Sequence, residues 1–441
     1  MAAFKTLTPE NNYTLQGELE FRNLYGVLVL NLTGNDKVRS ITITAKDSTG
    51  QVASLSGFGE IIRTEDSFYK VNMHTVIDGG AGMPMAESGS PAITLECPDV
   101  QLNTVVPTPF HIALPPAKYS SFSLLITTAD GKMMIKESNK ELIIKRSTLK
   151  HTVPLTYTET IPLDLSERGT SNCYIVEKAG IYTFDASVIG NGAIGIKPYA
   201  NFHTSDPAIS PASVELLWED TNGLISALNY DSEEKKVSFM HSGIEGNALI
   251  AVKDEEGVIL WSWHIWCTDQ PADHIYINYS GQKYTVQDRN LGATRADRGT
   301  GDQWIESTGL FFQWGRKDPI NYNNYNAIES KLTIEETILN PISFPWYKDW
   351  MAYRNKYLWT RKIKTIYDPC PIGYKVANKE VWTSFSTTGI STSSHSEMNI
   401  KGSWDNGYYF IYDGTNTAWY PASYNNSYAE SYGRIWYSDG D

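Results

Sequence analysis

The pattern that most suggests binding chemistry is Trp404-Asp405-Asn406, where a carboxylate and an amide follow an indole. Carboxylate and amide oxygens coordinate Ca²⁺, and an aromatic ring beside them offers a flat face to a sugar. The segment 402–407 is more often simply a turn, and the neighbouring aromatic residues could equally pack an irregular core. Because loops carry function more often than scaffolds do, we expect a binding face here and leave calcium open. The predicted ligand-binding residues are Trp404, Asp405, Asn406, Trp419, Tyr420 and Asn425.

Two charged segments, Asp288-Arg289-Asn290 and Arg316-Lys317-Asp318-Pro319, contain residues that could take part in catalysis. Arginine suits bidentate holding of a carboxylate, so we interpret both segments as structural clamps that pin turns. His264, on a strand among tryptophans, is expected to be packed rather than reactive. The sequence shows no Ser/His/Asp arrangement, no Gly-rich phosphate loop and no His-rich metal spacing.

Paired carboxylates could in principle make a glycosidase. The acidic residues of the last third follow no order that suggests two facing acids. They are Glu306, Asp318, Glu335, Glu336, Asp368 and Asp405. We therefore predict a non-enzymatic protein with no catalytic residues and no cofactor.

The four cysteines have neither CxxC spacing nor a histidine at a zinc-binding spacing, so a metal site is not expected from them. Buried thiols are the simplest interpretation, because cysteine is commonly buried. A Cys173–Cys267 disulfide is the alternative, since both residues fall near the ends of one candidate domain. Cys370 has no evident partner.

Length, charge and composition limit the class of protein. A chain of 441 residues predicts about three domains. The net charge of −13 argues against nucleic acid as a partner, because phosphate binding needs a basic surface. The sequence contains no run of 18 apolar residues, so it predicts no transmembrane helix. The first five residues contain no apolar export segment, but the Thr-, Ser-, Asn- and Tyr-rich body is typical of exported bacterial surface proteins, so we expect a processed form.

Residues 1–157 have a β pattern throughout and predict a β-sandwich. The nearly continuous apolar run 24–32 is typical of a strand buried on both faces. Alternation in 38–45 places Ile41, Ile43 and Ala45 on one face. Asp130-Gly131 supplies the positive φ of a tight hairpin.

Residues 158–272 predict a second β-sandwich module. Two β-patterned segments, 247–252 and 258–266, flank a charged connection and predict a hairpin. Alternation in the second segment places Trp263 and His264 on opposite faces.

Residues 273–441 predict an α+β domain with long loops. Thr333 and Glu336 form a capping box that begins a helix, and Asn378 is the expected cap of a second short helix. A hairpin is predicted over 408–420. Nine of the 13 tryptophans follow residue 300, and the first 217 residues contain none. This step in composition indicates that the last module differs from the first.

Several of these segments resemble bacterial surface-protein families. The first unit resembles the fimbrillin-like pilus and cell-surface proteins of Bacteroidetes, in LEFRNLYGVL (19–28), VRSI (38–41), VQLN (100–103) and FHIALPP (110–116). The middle unit is similar to a β module found after such domains, in SNCYIV (171–176) and ILWSWHIW (259–266). The third resembles the Fibrobacter-type major paralogous domain, in DRNLGA (288–293), FQWGRKDP (312–319) and DPCPIGYKV (368–376).

The resemblance implies a mainly β fold: a transthyretin-like sandwich, a second sandwich, and a C-terminal α+β domain of C-type-lectin-like type. Fimbrillin-like proteins carry two tandem transthyretin-like domains, and the match covers the second, so a preceding domain is expected to be absent. The third family usually closes with a cysteine-bearing strand; no cysteine follows Cys370, which is therefore expected to be unpaired.

The resemblance also implies a function. We expect a cell-surface adhesion or pilus subunit, exported to the outer membrane or pilus, that joins other subunits by strand addition. A bulky C-terminal module favours a minor or tip position and recognition of a host or dietary glycan or protein. The alternative is a carbohydrate-binding surface lipoprotein outside any pilus.

Overall fold

The computed structural model describes residues 23–421 except 51–52, 58, 64–68, 74–89, 91, 193–206, 322–325, 346–349, 354 and 391–393. Strands dominate it, so the expected mainly β class is confirmed. Contacts divide the chain into two units, Met1–Ile161 and Pro162–Asp441. The division into 1–157, 158–272 and 273–441 stays a prediction. Among the described residues, no helix has the length and apolar character needed to span a membrane.

The first unit is built from strands alone within its described residues. They are β1 (Gly26–Thr33), β2 (Lys37–Asp47), β3 (Gly59–Arg63), β4 (Tyr69–Met73), β5 (Ala92–Gln101), β6 (Thr108–Leu114), β7 (Ala117–Thr128), β8 (Met133–Ser138), β9 (Leu142–Ile144), β10 (Leu149–His151) and β11 (Leu155–Thr156).

Two sheets of the first unit share one core. In the first sheet, β1 pairs with β6 antiparallel on one side and with β10 and β11 parallel on the other. In the second, the order is β5-β2-β7-β8, with β9 also on β7. Strands β3 and β4 pair separately. The core contains Leu28, Leu30 and Leu32 from the first sheet, and Ile41 and Ile43 from the second.

Local sequence signals explain the second sheet. Ile41, Ile43 and Ala45 are buried together, as the alternation predicts. Val38 joins the same core although it is three residues from Ile41, because a bulge between Val38 and Ser40 shifts the register by one residue. The β7–β8 hairpin turns through Gly131 at φ +83, as expected of Asp-Gly.

The second unit combines many strands with short helices. The strands are β12 (Leu163–Asp164), β13 (Cys173–Val176), β14 (Gly180–Asp185), β15 (Ser213–Glu219), β16 (Ile225–Asp231), β17 (Lys236–His241), β18 (Gly246–Lys253), β19 (Ile259–Cys267), β20 (Asp273–Ile277), β21 (Lys283–Gln287), β22 (Asn326–Ile328), β23 (Ser343–Pro345), β24 (Ile400–Lys401), β25 (Gly407–Ile411) and β26 (Thr417–Pro421). The helices are α1 (Ile334–Leu339) and three 3₁₀ helices, Gly301–Ser307, Lys379–Phe385 and His395–Glu397.

Two four-stranded sheets form the centre of this unit, in the orders β12-β14-β17-β16 and β13-β19-β18-β15. Their facing aromatic side chains meet in one core, where the rings of Phe184 and Trp263 lie 5.1 Å apart. The predicted hairpin across residue 257 is confirmed as β18–β19, and Gly257 turns it at φ +81.

The chain after residue 272 packs into the same core. Side chains of α1 and of the segment 350–367 belong to one buried cluster with Trp261 and Trp263 of β19. The other face of β19 is covered as well, since Trp266 Nε1 donates a 3.0 Å hydrogen bond to Ala293 O. The sheet that contains β19 is thus a central layer.

The two predicted helices have different outcomes. The capping box of α1 is confirmed: Glu336 N donates to Thr333 Oγ1 at 3.1 Å, and Thr333 N donates to Glu336 Oε2 at 2.7 Å. The segment after Asn378 is a 3₁₀ helix, and the Asn378 side chain makes no capping hydrogen bond to it. Val381 and Phe385 both belong to a small core.

This small core lies under the last described hairpin, β25–β26. It contains Tyr276, Val381, Phe385 and Tyr420, and the hydroxyls of Tyr276 and Tyr420 are 2.6 Å apart. The hairpin predicted over 408–420 is confirmed.

Candidate functional site

The predicted loop 402–407 contains one accessible aromatic ring. Trp404 is 39% exposed and meets Tyr408 edge to face, with ring centroids 5.1 Å apart. Asp405 is held by Arg298, whose Nε and Nη2 each donate a 3.0 Å hydrogen bond to its carboxylate. Asn406 adopts φ +58 and forms the turn itself. Trp404 can therefore contact a ligand, whereas the carboxylate of Asp405 is already paired with Arg298.

The Arg298–Asp405 ion pair opposes calcium binding by Asp405. A guanidinium that binds both carboxylate oxygens must be displaced before a cation can use them. Within the described ranges, no group of three or more His, Cys, Asp or Glu side chains is placed to hold a metal ion.

Two other predicted ligand-binding residues are interior. Trp419 and Tyr420 are buried on β26. Trp419 Nε1 donates to Ser307 Oγ at 3.1 Å, and Tyr420 pairs with Tyr276. Their polar edges make internal hydrogen bonds on opposite faces of β26, because the two residues are adjacent on one strand. Both side chains are therefore interior, against the expected surface role. Asn425 lies outside the described residues, so its assignment stays a prediction.

The Asp288-Arg289 segment is confirmed as a clamp. Arg289 Nε and Nη2 donate to Asp288, and Nη1 donates to Asp269 Oδ1 at 2.6 Å. The Arg289 side chain is almost fully buried. Its hydrogen bonds connect residues 288–289 to Asp269, which lies just after the end of β19.

The Arg316-Lys317-Asp318 segment is also a clamp, buried against β19. Arg316 donates to the carbonyls of Ser343 and Pro341, and burial lowers its pKa to about 10. Lys317 Nζ lies 2.6 Å from Asp318 Oδ1 and from Ser262 Oγ. These charges hold loops onto the sheet.

An unforeseen constellation joins Cys173, His264 and Asn247 across β13, β19 and β18. Cys173 Sγ lies 3.3 Å from His264 Nδ1, and His264 Nε2 lies 2.9 Å from Asn247 Oδ1. A thiol, an imidazole and an amide in this order activate a nucleophile in papain-like hydrolases.

The environment of this constellation is unsuited to that chemistry. All three side chains are buried. Burial raises the pKa of the Cys173 thiol well above its ordinary value and lowers the pKa of His264 to about 3. Both groups are therefore neutral at pH 7, whereas a reactive cysteine needs its thiolate. Asn247 Nδ2 also donates to Gly292 O, so the constellation connects the sheet to the following segment.

The possible Cys173–Cys267 disulfide is corrected, because both residues are free thiols. Cys173 is opposite His264 in the ladder, and Cys267 is opposite Val176. The two cysteines are thus three residues apart along paired strands, roughly 10 Å, and point to opposite faces of the sheet. A disulfide requires Cα atoms within about 7 Å of each other.

In the first unit, strand β6 is an edge within the described chain, since it pairs with β1 alone. Val27 N donates to Thr148 O, and Thr152 N donates to Val29 O, so these two β1 residues direct their backbone groups toward β10. Backbone directions alternate along a strand. Leu28 and Leu30 of β1 therefore face β6.

The register of the β1–β6 pairing determines which backbone N–H and C=O groups of β6 have no partner in β1. Ile112 and Phe110 lie opposite Leu28 and Leu30 and exchange hydrogen bonds with β1. His111 and Ala113 consequently direct their N–H and C=O groups away from β1. Pro109 also faces away from β1, so its missing N–H removes no hydrogen bond between β6 and β1.

Two exposed apolar residues precede β6 in the chain. Val105 and Val106, just before β6, are 81% and 65% exposed. Asn103 Oδ1 accepts hydrogen bonds of 2.8 Å from both of their amides and so fixes the loop. The sequence has prolines on both sides of residues 110–114, and this pattern is the sequence signal that could have predicted an edge strand.

Comparison with known proteins assigns no family. No protein-family model matches the chain, and no curated protein does. A leucine-rich repeat protein from Bacteroides thetaiotaomicron is among the similar solved structures, with 10% identity and a TM-score of 0.17. The match covers 60% of this chain and 25% of that one, so the chain spans about a quarter of its length. A TM-score this low carries no argument about fold or function.

Proposed function

We propose that the chain is a non-enzymatic cell-surface adhesion or pilus subunit in a minor or tip position. In this proposal the first unit is a transthyretin-like sandwich that joins other subunits by strand addition. The second unit, with a lectin-like C-terminal part, recognises an extracellular glycan or protein. The resemblance of the first unit to fimbrillin-like proteins supports an exported location.

The open edge of β6 is the observation that carries this proposal. The outward N–H and C=O groups of His111 and Ala113 can pair with an extended segment from another subunit. Val105 and Val106, exposed just before β6, offer further apolar area to such a segment.

His111→Pro tests the edge directly. Proline removes the outward N–H, while the hydrogen bonds of Phe110 and Ile112 to β1 are kept. We expect gold-labelled His111→Pro protein to be incorporated into pili at least about tenfold less than the unchanged protein, because strand addition depends on main-chain hydrogen bonds. Electron microscopy of labelled protein mixed with shaft subunits measures incorporation and its position.

His111→Ala is the matched control, since it removes the same side chain and keeps the N–H. Equal incorporation of both variants contradicts strand addition at β6, provided that circular dichroism shows both folded. Labels distributed along the whole shaft contradict the tip position. Failure of the unchanged protein to join any pilus contradicts the pilus role.

A carbohydrate-binding surface lipoprotein outside any pilus is the second candidate, favoured by the accessible Trp404 ring. Glycan-array binding by a protein that never enters pili, with Trp404→Ala losing the signal, would favour this candidate.

A further inference from the structure

Strand β10 forms a second edge of the first sheet, on the side of β1 opposite β6. Among the described strands it pairs with β1 alone. The hydrogen bonds of Thr148 O and Thr152 N to β1 fix which backbone groups face that strand. Because backbone directions alternate, Leu149 and His151 direct their N–H and C=O groups away from β1. These groups are open to an added strand.

The β10 edge also has exposed apolar side chains. Leu149 is 60% exposed, and Val153, just after the strand, is 82% exposed. Leu149 pairs with Val27, which lies on the face of β1 opposite to the core residue Leu28. Apolar side chains at alternate positions of an added strand would lie beside Leu149 and cover this area.

The chain around β10 is basic, although the whole protein has a net charge of −13. Residues 142–158 contain three Lys or Arg residues and no Asp or Glu. Lys145 and Lys150 are exposed, and neither forms an ion pair with a described residue. Glu141, just before this segment, is already paired with Lys118 at 2.6 Å. The edge is therefore locally positive and lacks a carboxylate of its own.

Lys150 lies between the two outward-directed residues, where its charge can select a partner. Its register partner is Leu28, so its side chain is on the core-facing side of the edge. A lysine at this position disfavours an added apolar or basic strand, because its charge would be desolvated or repelled. A carboxylate on the added strand removes that penalty, since opposite charges on neighbouring strands stabilise their pairing.

We propose that the β10 edge binds an extended acidic segment of another polypeptide, with carboxylates beside Lys150 and apolar side chains beside Leu149. Such a segment alternates acidic and apolar residues, because neighbouring side chains of a strand point to opposite faces. This edge is distinct from β6, and its occupation does not require pairing at β6. The two edges differ in selectivity, since β6 contains no Lys, Arg, Asp or Glu.

Fluorescence anisotropy of labelled peptides mixed with the full chain tests the proposal. The acidic probe is Thr-Glu-Val-Glu-Val-Glu-Val-Thr, and two control peptides replace every Glu by Gln or by Lys. We expect the acidic peptide to bind at least about tenfold more tightly than the Gln peptide, with an affinity that falls as sodium chloride increases. The Lys peptide should not bind.

Lys150→Glu is expected to reverse this preference, so that the Lys peptide binds and the acidic peptide does not. A reversal also shows that the variant is folded. Lys46→Glu makes the same change in net charge at an exposed position of β2, away from the edge, and should keep the original preference. His151→Pro removes an outward N–H and should weaken binding of the acidic peptide at least about tenfold, whereas His151→Ala should not.

Absence of binding by the acidic peptide overturns the inference, as does equal binding by the unchanged protein and Lys150→Glu. Binding that survives in His151→Pro indicates a charged surface without strand addition and also overturns it. None of these results decides pairing at β6, which the incorporation of His111→Pro into pili measures separately.

Discussion

At the scale of single residues, the second unit depends on a buried ion pair. The side chains of Lys317 and Asp318 are 2% and 3% exposed. Lys317 also donates to Ser262 O and lies 4.4 Å over the ring of Trp261. Removing two charges from water costs several kcal/mol each unless partners compensate, so each residue requires the other.

Lys317→Met is expected to lower the free energy of unfolding by about 3–5 kcal/mol, because Asp318 would stay buried without its cation. Urea unfolding followed by tryptophan fluorescence measures the loss. Adding Asp318→Asn should recover part of it. Arg361→Met is the control, since the Arg361 side chain is 52% exposed in its pair with Glu380 and this pair should contribute less than about 1 kcal/mol. A Lys317→Met loss no greater than that of the control would refute the argument.

His264 makes stability depend on pH. Burial lowers its pKa from 6.5 to about 3 in the folded state. Below pH 6.5 the unfolded chain binds a proton that the folded chain does not, so stability decreases as pH falls. Its contribution is complete above pH 6.5 and is lost progressively down to about pH 3. His241, whose pKa burial lowers to about 4, acts in the same direction.

We expect His264→Gln to flatten the pH dependence of the unfolding free energy between pH 6.5 and 4. The difference in slope should be about 1.4 kcal/mol per pH unit, the value for one proton. Glutamine keeps polar atoms near Asn247 and Cys173 but does not titrate. Urea unfolding at four pH values measures both slopes, and identical slopes would show that His264 does not titrate as argued.

At the scale of elements, the sequence correctly predicted hairpins and a helix start, because each is formed by residues close together in the chain. The β7–β8, β18–β19 and β25–β26 hairpins and the capping box of α1 are confirmed. The paired residues of these hairpins lie at most 21 positions apart, as in Gly246 and Cys267. The Asn378 segment differs because a capping residue indicates where a helix begins but does not distinguish a 3₁₀ helix from an α-helix.

Long-range pairing could not be predicted, and the candidate sites depend on it. Periodicity shows that a strand has two faces but not which strand lies beside it. The parallel pairing of β13 with β19 brings Cys173 to His264, and the pairing of β1 with β6 and β10 leaves the outer side of β6 open. A shift of one residue in either register would reverse every side chain involved.

At the scale of the molecule, the larger core of the second unit is drawn from both sides of residue 272. Ile338 of α1 and Tyr367 belong to the same cluster as Trp263. Asn172 Nδ2 donates to Ile366 O at 2.7 Å, across 194 residues. The step in tryptophan content suggested a separate last module, but composition cannot show what an aromatic side chain packs against. Several of these tryptophans are interior packing residues.

Separate expression of fragments tests whether this larger core needs residues from both sides of residue 272. Fragment 162–441 should show native near-ultraviolet circular dichroism and one cooperative urea transition. Fragment 162–272 should lack both, because Trp261 and the outer face of β19 would lose the helix and loops that cover them. Fragment 1–161, which has its own core, is the positive control for the method. A cooperative transition in fragment 162–272 would instead establish it as an autonomous domain and support the three-part division.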